Sequence, residues 1–251
     1  MNRFFIPPDW IGQDRVIIQG KQVHQLRDVL RLRVGDHVSV LDNTGWEYEI
    51  EITGITRSHV TGAIYSKRHI EGPITVITLY QALLKSSNFN FVLQKCTEIG
   101  VSSFVPLICE RCVAKAPDDK KQERWHKIIT EAAEQSRRDR IPTLEPALDF
   151  KQACQIVANL SLLAWEGETA SDLRSLLQSK AASATHHSVN LFIGPEGGFS
   201  PDEVDFAQHL GIVPITLGRR VLRAETAGLV AATAILYEYG DLSHSAANKH
   251  P

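Results

Sequence analysis

The stretch Ile193-Gly194-Pro195-Glu196-Gly197-Gly198-Phe199-Ser200 decides the fold, because it leaves a short apolar run and opens a capped helix. Asn190–Ile193 before it reads as a buried strand. Pro201–Leu210 after it reads as a helix, with Ser200 as N-cap, proline at the first position, and Asp202, Glu203 and Asp205 favouring the positive end of the helix dipole. In a parallel α/β sheet, ligands bind where strands end and helices begin, so this turn is a candidate site. Gly194, Gly197 and Gly198 admit close backbone approach and positive φ; the plain alternative is a tight strand-to-helix turn. A phosphate loop is excluded, since Gly-x-x-x-x-Gly-Lys-Ser/Thr is missing and Glu196 would repel phosphate. The glycine spacing does not match a dinucleotide fingerprint either. What remains is a turn suited to an uncharged or cationic ligand, and a sulfonium cofactor beside an acidic residue fits that description.

A second stretch repeats the arrangement. Leu217-Gly218-Arg219-Arg220-Val221-Leu222-Arg223-Ala224-Glu225-Thr226-Ala227 follows a strand at Val213–Leu217 and runs into an apolar helix, Thr226–Tyr239, that Thr226 or Glu225 would start. Read alone it is either a basic surface loop or the second wall of a site. Outward from these two stretches, strands and helices alternate: Ile74–Leu84, Phe104–Ile108 and Leu160–Ala164 as strands, Asn88–Ile99 (ended by Gly100) and Lys121–Ser136 as helices. Alternation with fully apolar strands predicts a parallel α/β sheet.

Residues 1–70 have a different rhythm. Val16–Ile18, Val38–Val40, Tyr48–Ile52 and Val60–Ile64 read as short strands, with Asp42–Gly45 as a hairpin loop, and predict a small β-barrel domain. His24–Arg31 reads as one helical segment with Leu26, Val29 and Leu30 on a face. Lys67–Pro73 reads as a linker, 73–241 as the α/β domain, Ser179–Ser188 as a polar loop, and 242–251 as a disordered tail.

The chain of 251 residues is 43% hydrophobic and 22% charged, the composition of a globular protein large enough to bury its own core. No apolar run reaches the ~20 residues of a membrane span, and the N-terminus lacks a signal peptide, so no membrane association is expected. Four cysteines, Cys96, Cys109, Cys112 and Cys154, form no secreted-protein framework and read as reduced cytoplasmic thiols. Cys109 and Cys112 have metal-like spacing without a second pair, so no metal is expected. A net charge of −2 does not advertise nucleic acid, but basic residues come in groups, among them Arg27/Arg31/Arg33, Arg137/Arg138/Arg140 and Arg219/Arg220/Arg223. Each is a solvated face or a local phosphate-binding patch.

Together the two quoted stretches resemble the SPOUT methyltransferases and, within them, the RsmE family of 16S ribosomal RNA uridine-N3 methyltransferases. Arg3-Phe4-Phe5, His24 through Leu30-Arg31 and Val34-Gly35-Asp36 are similar to that family's PUA-like domain. Lys95-x-Thr97-Glu98-x-Gly100-Val101, Glu110-Arg111 and Glu131–Ser136 with Arg138 are similar to its central segment. Cys112 departs from the pattern, which has serine after the Glu-Arg pair. The resemblance covers residues 1 to about 240. It implies a C-terminal domain tied in a deep trefoil knot, S-adenosyl-L-methionine (SAM) as cofactor, small-subunit ribosomal RNA as substrate, presented as free RNA or as the assembled 30S particle, and a homodimer that completes each active site.

The cofactor contacts it implies are Ile193, Gly194, Glu196 and Gly198 on one loop and Leu217, Gly218, Leu222 and Ala224 on the other, with Leu163 and the residues after it as a third wall. Arg223 is the candidate catalytic residue, stabilising the uracil anion, with Glu225 or Glu196 as an alternative proton acceptor. Arg3, His24, Arg27 and Arg31 would hold flanking RNA, with Arg111 and Arg138 nearer the active site. Two other readings stay open: a knotted methyltransferase with a different target position, and a non-catalytic RNA-binding protein of ribosome assembly.

Overall fold

The computed structural model describes residues 2–85, 87–156, 158, 160–181 and 187–242. Residues 243–251 of the expected tail and 182–186 of the expected polar loop lie outside the described residues, while residues 179–181 are helical and 187–188 belong to a strand. The chain divides into two compact units, Met1–Gly72 with Ala133–Ile141, and Pro73–Ala132 with Pro142–Pro251. The first unit thus takes up a segment, Ala133–Ile141, that sequence reading left in the second domain.

In the first unit, strands β1 (Arg3–Phe5), β2 (Arg15–Gln19), β3 (His37–Leu41), β4 (Trp46–Ile55) and β5 (His59–His69) form one sheet in the order β1-β3-β4-β5-β2. Only β1 and β3 pair in parallel. Alternation aims Val38, Val40, Ile50, Ile52 and Val60 into a common core with Phe4, Val16 and Ile18. The β3–β4 hairpin turns at Asn43 and Gly45, both at positive φ. The Asp42 carboxylate fixes it by accepting from the backbone N–H groups of Thr44 and Trp46.

Two expectations change here. Strand β5 runs on to His69, because Arg68 and His69 pair across to Glu47 and Trp46, and this shortens the linker. Helix α1 (Lys21–His24) widens into a π turn over Gln25–Val29, with Leu30 N–H bonded to the Gln25 carbonyl. The wider turn rotates the expected stripe apart. Leu26 is fully buried, whereas Val29 is 63% exposed and Leu30 36%.

The second unit contains β6 (Thr75–Ala82), α2 (Asn88–Ile99), β7 (Ser103–Ile108), α3 (Asp119–Gln135), β8 (Thr143–Leu144), β9 (Leu148–Asp149), α4 (Phe150–Ala153), β10 (Leu160–Ala164), α5 (Leu173–Ala181), β11 (His187–Ile193), α6 (Pro201–His209), β12 (Val213–Ile215) and α7 (Ala224–Glu238). Its sheet is wholly parallel, ordered β12-β10-β11-β6-β7-β8, with β9 also on β7. Tyr80, Leu163 and Phe192 point to a core shared with Phe150 and Ala153 of α4 and Val204 and Ala207 of α6. The alternate residues Leu79 and Gln81 face α7, whose Gly228 leaves so little room that a Cβ would sit 3.1 Å from Gln81 Oε1. Both faces are therefore covered, as fully apolar strands require. Among the described residues no helix is long and apolar enough to cross a membrane.

Candidate active site

Three adjacent strands end level with one another: Ala164 of β10 pairs with Ile193 of β11 on one side and Ile215 of β12 on the other. The loops leaving these ends enclose a pocket of about 540 Å³, within the ~300–1,000 Å³ typical of cofactor sites. From β10 come Ala164, Trp165 and Glu166. From β11 come Ile193 to Glu196 with Gly198 and Phe199, and from β12 the run Thr216 to Glu225 with Ala227; Asn88 at the start of α2 completes the lining.

Of the residues expected at the cofactor, Ile193, Gly194, Glu196, Gly198, Leu217, Gly218, Leu222 and Ala224 line this pocket. Leu163 does not. Strand alternation turns its side chain into the core beside Phe192, fully buried, and gives the lining position to Ala164. Arg223 and Glu225 both lie on the rim, with Arg223 Nη1 4.0 Å from Glu225 Oε1 and the arginine side chain 86% exposed against 16% for the glutamate. Helix α7 begins at Ala224, one or two residues earlier than expected, with Arg223 in the N-cap position.

The glycine turn is held from several sides. Gly198 N–H donates to the Pro195 carbonyl at 2.9 Å, and Gly198 takes a φ of +67° that a side chain would strain. Glu196 Oε1 accepts the backbone N–H of Lys85 at 3.0 Å, so this carboxylate orients the loop. Ser200 and Glu203 form a complete capping box at the start of α6. The turn after β7 then clamps the whole. Glu203 Oε1 accepts from Glu110 N–H at 2.9 Å, Ser200 Oγ donates to Glu110 Oε2 at 2.7 Å, and Arg111 Nη1 donates to the Gly197 carbonyl at 2.9 Å.

The arginines expected on RNA separate into two sets. His24, Arg27 and Arg31 lie on the first unit's surface, although Arg27 is paired with Asp28 at 2.7 Å. Arg3 is committed within that unit: it is ion-paired with Glu47 at 3.0 Å and donates hydrogen bonds to Asp139 and to the Arg137 carbonyl, both at 2.7 Å. Arg138 belongs to the returning segment, and burial pulls its pKa down to about 10. Arg111 holds the glycine turn. All three guanidiniums are thus engaged or buried within the chain itself, a circumstance that a list of basic residues does not reveal.

A parallel α/β sheet with a pocket over its strand ends marks a ligand-binding α/β protein, and its class is given by the family models as RNA methyltransferase. Residues 71–236 match the RNA methyltransferase domain and residues 18–65 the RNA methyltransferase PUA domain. The chain belongs to the ribosomal RNA small subunit methyltransferase E family. It is 35% identical to the member from Synechocystis over 93% of this chain and 76% of the relative, and 32% identical to that of Bacillus subtilis over 88% and 89%. A crystal structure of the enzyme from Neisseria gonorrhoeae bound to S-adenosyl methionine superposes with a TM-score of 0.85 at 28% identity, covering 97% of this chain and 100% of that one.

Proposed function

We propose that this chain transfers a methyl group from SAM to N3 of a uridine in 16S ribosomal RNA. The observation that carries the reading is the pocket at the ends of β10, β11 and β12, rimmed by Arg223 and Glu225, in a member of this family. The pocket suits the cofactor. Gly198 and Gly218 (φ +67° and +101°) expose backbone on both loops, Leu217, Leu222 and Ile193 offer apolar contact, and Glu166 stands where a sulfonium would gain from a carboxylate. SAM supplies an already electrophilic methyl group when bound, so the chain's residues need only position the base and ease its deprotonation.

Arg223 is the group for that task. Its exposed guanidinium, only loosely paired with Glu225 at 4.0 Å, stands at the rim, where it would meet a uracil carbonyl gaining negative charge. Glu225, close by and mostly buried, is the nearest carboxylate to take the N3 proton, whereas Glu196 is spent on Lys85 N–H. The target base must leave its stack to reach the pocket. Arg27 and Arg31 supply positive charge and His24 a hydrogen-bonding ring for the flanking backbone, and a homodimer in the cytoplasm acting on the assembled 30S particle completes the reading. The trefoil knot implied by the family resemblance belongs to the same proposal.

The test is methylation of 30S subunits and of naked 16S RNA with labelled SAM, followed by mass spectrometry of the digested nucleosides. 3-Methyluridine from the particle is expected. A ribose-methylated or guanine-methylated product would replace the target, and SAM binding without any product would favour the non-catalytic reading.

A further inference from the structure

Between β7 and the pocket lies the turn Cys109-Glu110-Arg111-Cys112, whose two central residues both grip the glycine turn. Cys112 N–H donates to the Cys109 carbonyl at 3.0 Å. A hydrogen bond across that spacing holds the terminal Cα atoms within about 7 Å, and disulfides bridge Cα atoms up to about 6.8 Å apart. The Cys112 sulfur folds back over the turn, accepting from Cys109 N–H at 3.3 Å. Both cysteines are free thiols in this structure. Cys112 is partly exposed, while Cys109 is only 5% exposed.

We propose that Cys109 and Cys112 form a redox modification site, a reversible dithiol–disulfide pair that takes a low-molecular-weight disulfide as oxidant and loosens the grip of its turn on the pocket's glycine loop. The two sulfurs have unlike roles. The neighbouring Cys109 thiol and N–H lower the pKa of Cys112 to about 7 against the opposing effect of burial, which leaves much of it as thiolate near neutrality. Hydrogen bonding to Cys112 and burial push Cys109 upward, so it stays protonated and protected.

The Cys112 thiolate attacks one sulfur of the oxidant RSSR, the S–S bond breaks, and RS⁻ leaves with the bonding pair. The Cys109 thiol then gives up its proton and attacks the Cys112 sulfur of the mixed disulfide, expelling the second RS⁻. Two thiols are oxidised and RSSR is reduced to two RSH. Such a pair in a reducing compartment is transient and regulatory, in keeping with its partial exposure.

The consequence for the pocket follows from the residues between the cysteines. Closing an S–S bond of ~2.05 Å draws the sulfurs together and takes Cys112 Sγ from its place on Cys109 N–H. The peptide planes of Glu110 and Arg111 turn with it. Those residues hold Glu203, Ser200 and Gly197 by bonds of 2.7–2.9 Å, which tolerate little displacement. Coupling to SAM rests on the reading of the pocket given above; formation of the disulfide does not.

The experiment oxidises the full chain with glutathione disulfide, quenches with acid, maps the cysteine peptides by mass spectrometry, and titrates SAM by calorimetry before and after. A Cys109–Cys112 link is expected, lost in Cys112→Ser and arrested as a glutathione adduct on Cys112 in Cys109→Ser. SAM affinity of the oxidised chain is expected to fall by about fivefold or more and to return with dithiothreitol. No link, or one made through Cys154, overturns the site. A mapped link with unchanged SAM affinity overturns the coupling. A reduced chain that fails to bind SAM would sink the cofactor reading and the coupling with it, while the peptide map would still decide the thiol site.

Discussion

Arg111 Nη1 donates to the carbonyl of Gly197 at 2.9 Å and joins the β7 exit to a glycine turn 86 residues further along the chain. A second contact from the same nitrogen reaches the Phe199 carbonyl at 3.5 Å. The guanidinium therefore restrains a loop whose glycines would otherwise be free to sample many conformations, and loop order lost before binding must be supplied at binding.

Arg111→Ala is accordingly expected to weaken SAM by about tenfold, since a charge-assisted hydrogen bond is worth about 1.5–3 kcal/mol. Calorimetry with the variant measures this directly. Unchanged SAM affinity together with weakened RNA binding would restore the expectation from sequence that this arginine serves the substrate.

Glu203 shares in the same restraint but acts mainly on stability. Its carboxylate accepts from Ser200 N–H at 2.9 Å and from Glu110 N–H at 2.9 Å, and it is only 8% exposed. Glu203→Ala leaves both donors without their acceptor at the start of α6. The loss is expected to be about 2–3 kcal/mol, read as a lower midpoint in urea with an unchanged slope. A midpoint within error of the parent's would mean that solvent replaces both bonds.

What the sequence discloses and what it hides divide along physical lines. Ser200, Pro201 and Glu203 announce a helix start because capping is a local interaction, and the structure has the capping box at that residue. Gly100 ends α2 at φ +123° for the same reason. The pocket's place was legible because strand ends and glycines mark ligand sites in this architecture, whereas which of Leu163 and Ala164 turns its side chain to the core depends on a one-residue step of strand alternation. The arginines were the least legible. Nothing near Arg3 in sequence says that Glu47 and Asp139 will meet it, because those contacts span the chain. The π turn at Gln25–Val29 escaped for a related reason, since its pattern satisfies an ordinary helix equally well.

Glu47, held by Ser39, Arg68 and Arg3, gives the first unit a pH dependence. Burial pushes the Glu47 carboxyl up, but bonds from Ser39 and Arg68 and the charge of Arg3 outweigh it and hold the group below its usual value of 4.5. A carboxylate whose pKa is lowered by folding contributes stability that is present above the unfolded value and disappears as pH falls through the folded one. Glu47→Gln is thus expected to cost about 2 kcal/mol at neutral pH, and less as the pH is taken progressively below 4.5. Urea unfolding of both proteins at several pH values measures the gap. A gap that widens with acid would contradict the assigned direction.

Arg223 offers the sharpest separation of chemistry from folding. Its side chain is 86% exposed and its nearest charged partner, Glu225, is 4.0 Å away, so removing it disturbs little packing and breaks no strong bond. Arg223→Ala is expected to keep the parent's unfolding midpoint and to bind SAM within about twofold, because the cofactor loop is held by backbone and apolar contacts. Its methyl transfer is expected to fall by about 100-fold or more, the usual consequence of removing one group that stabilises a developing anion. Arg223→Lys retains the charge without the planar fork and is expected to recover only part of the rate. Single-turnover assays with saturating SAM place the effect on the chemical step. A variant that turns over at near-parental rate would remove Arg223 from the mechanism and leave Arg219 and Arg220, on the same rim, to be tried in its place.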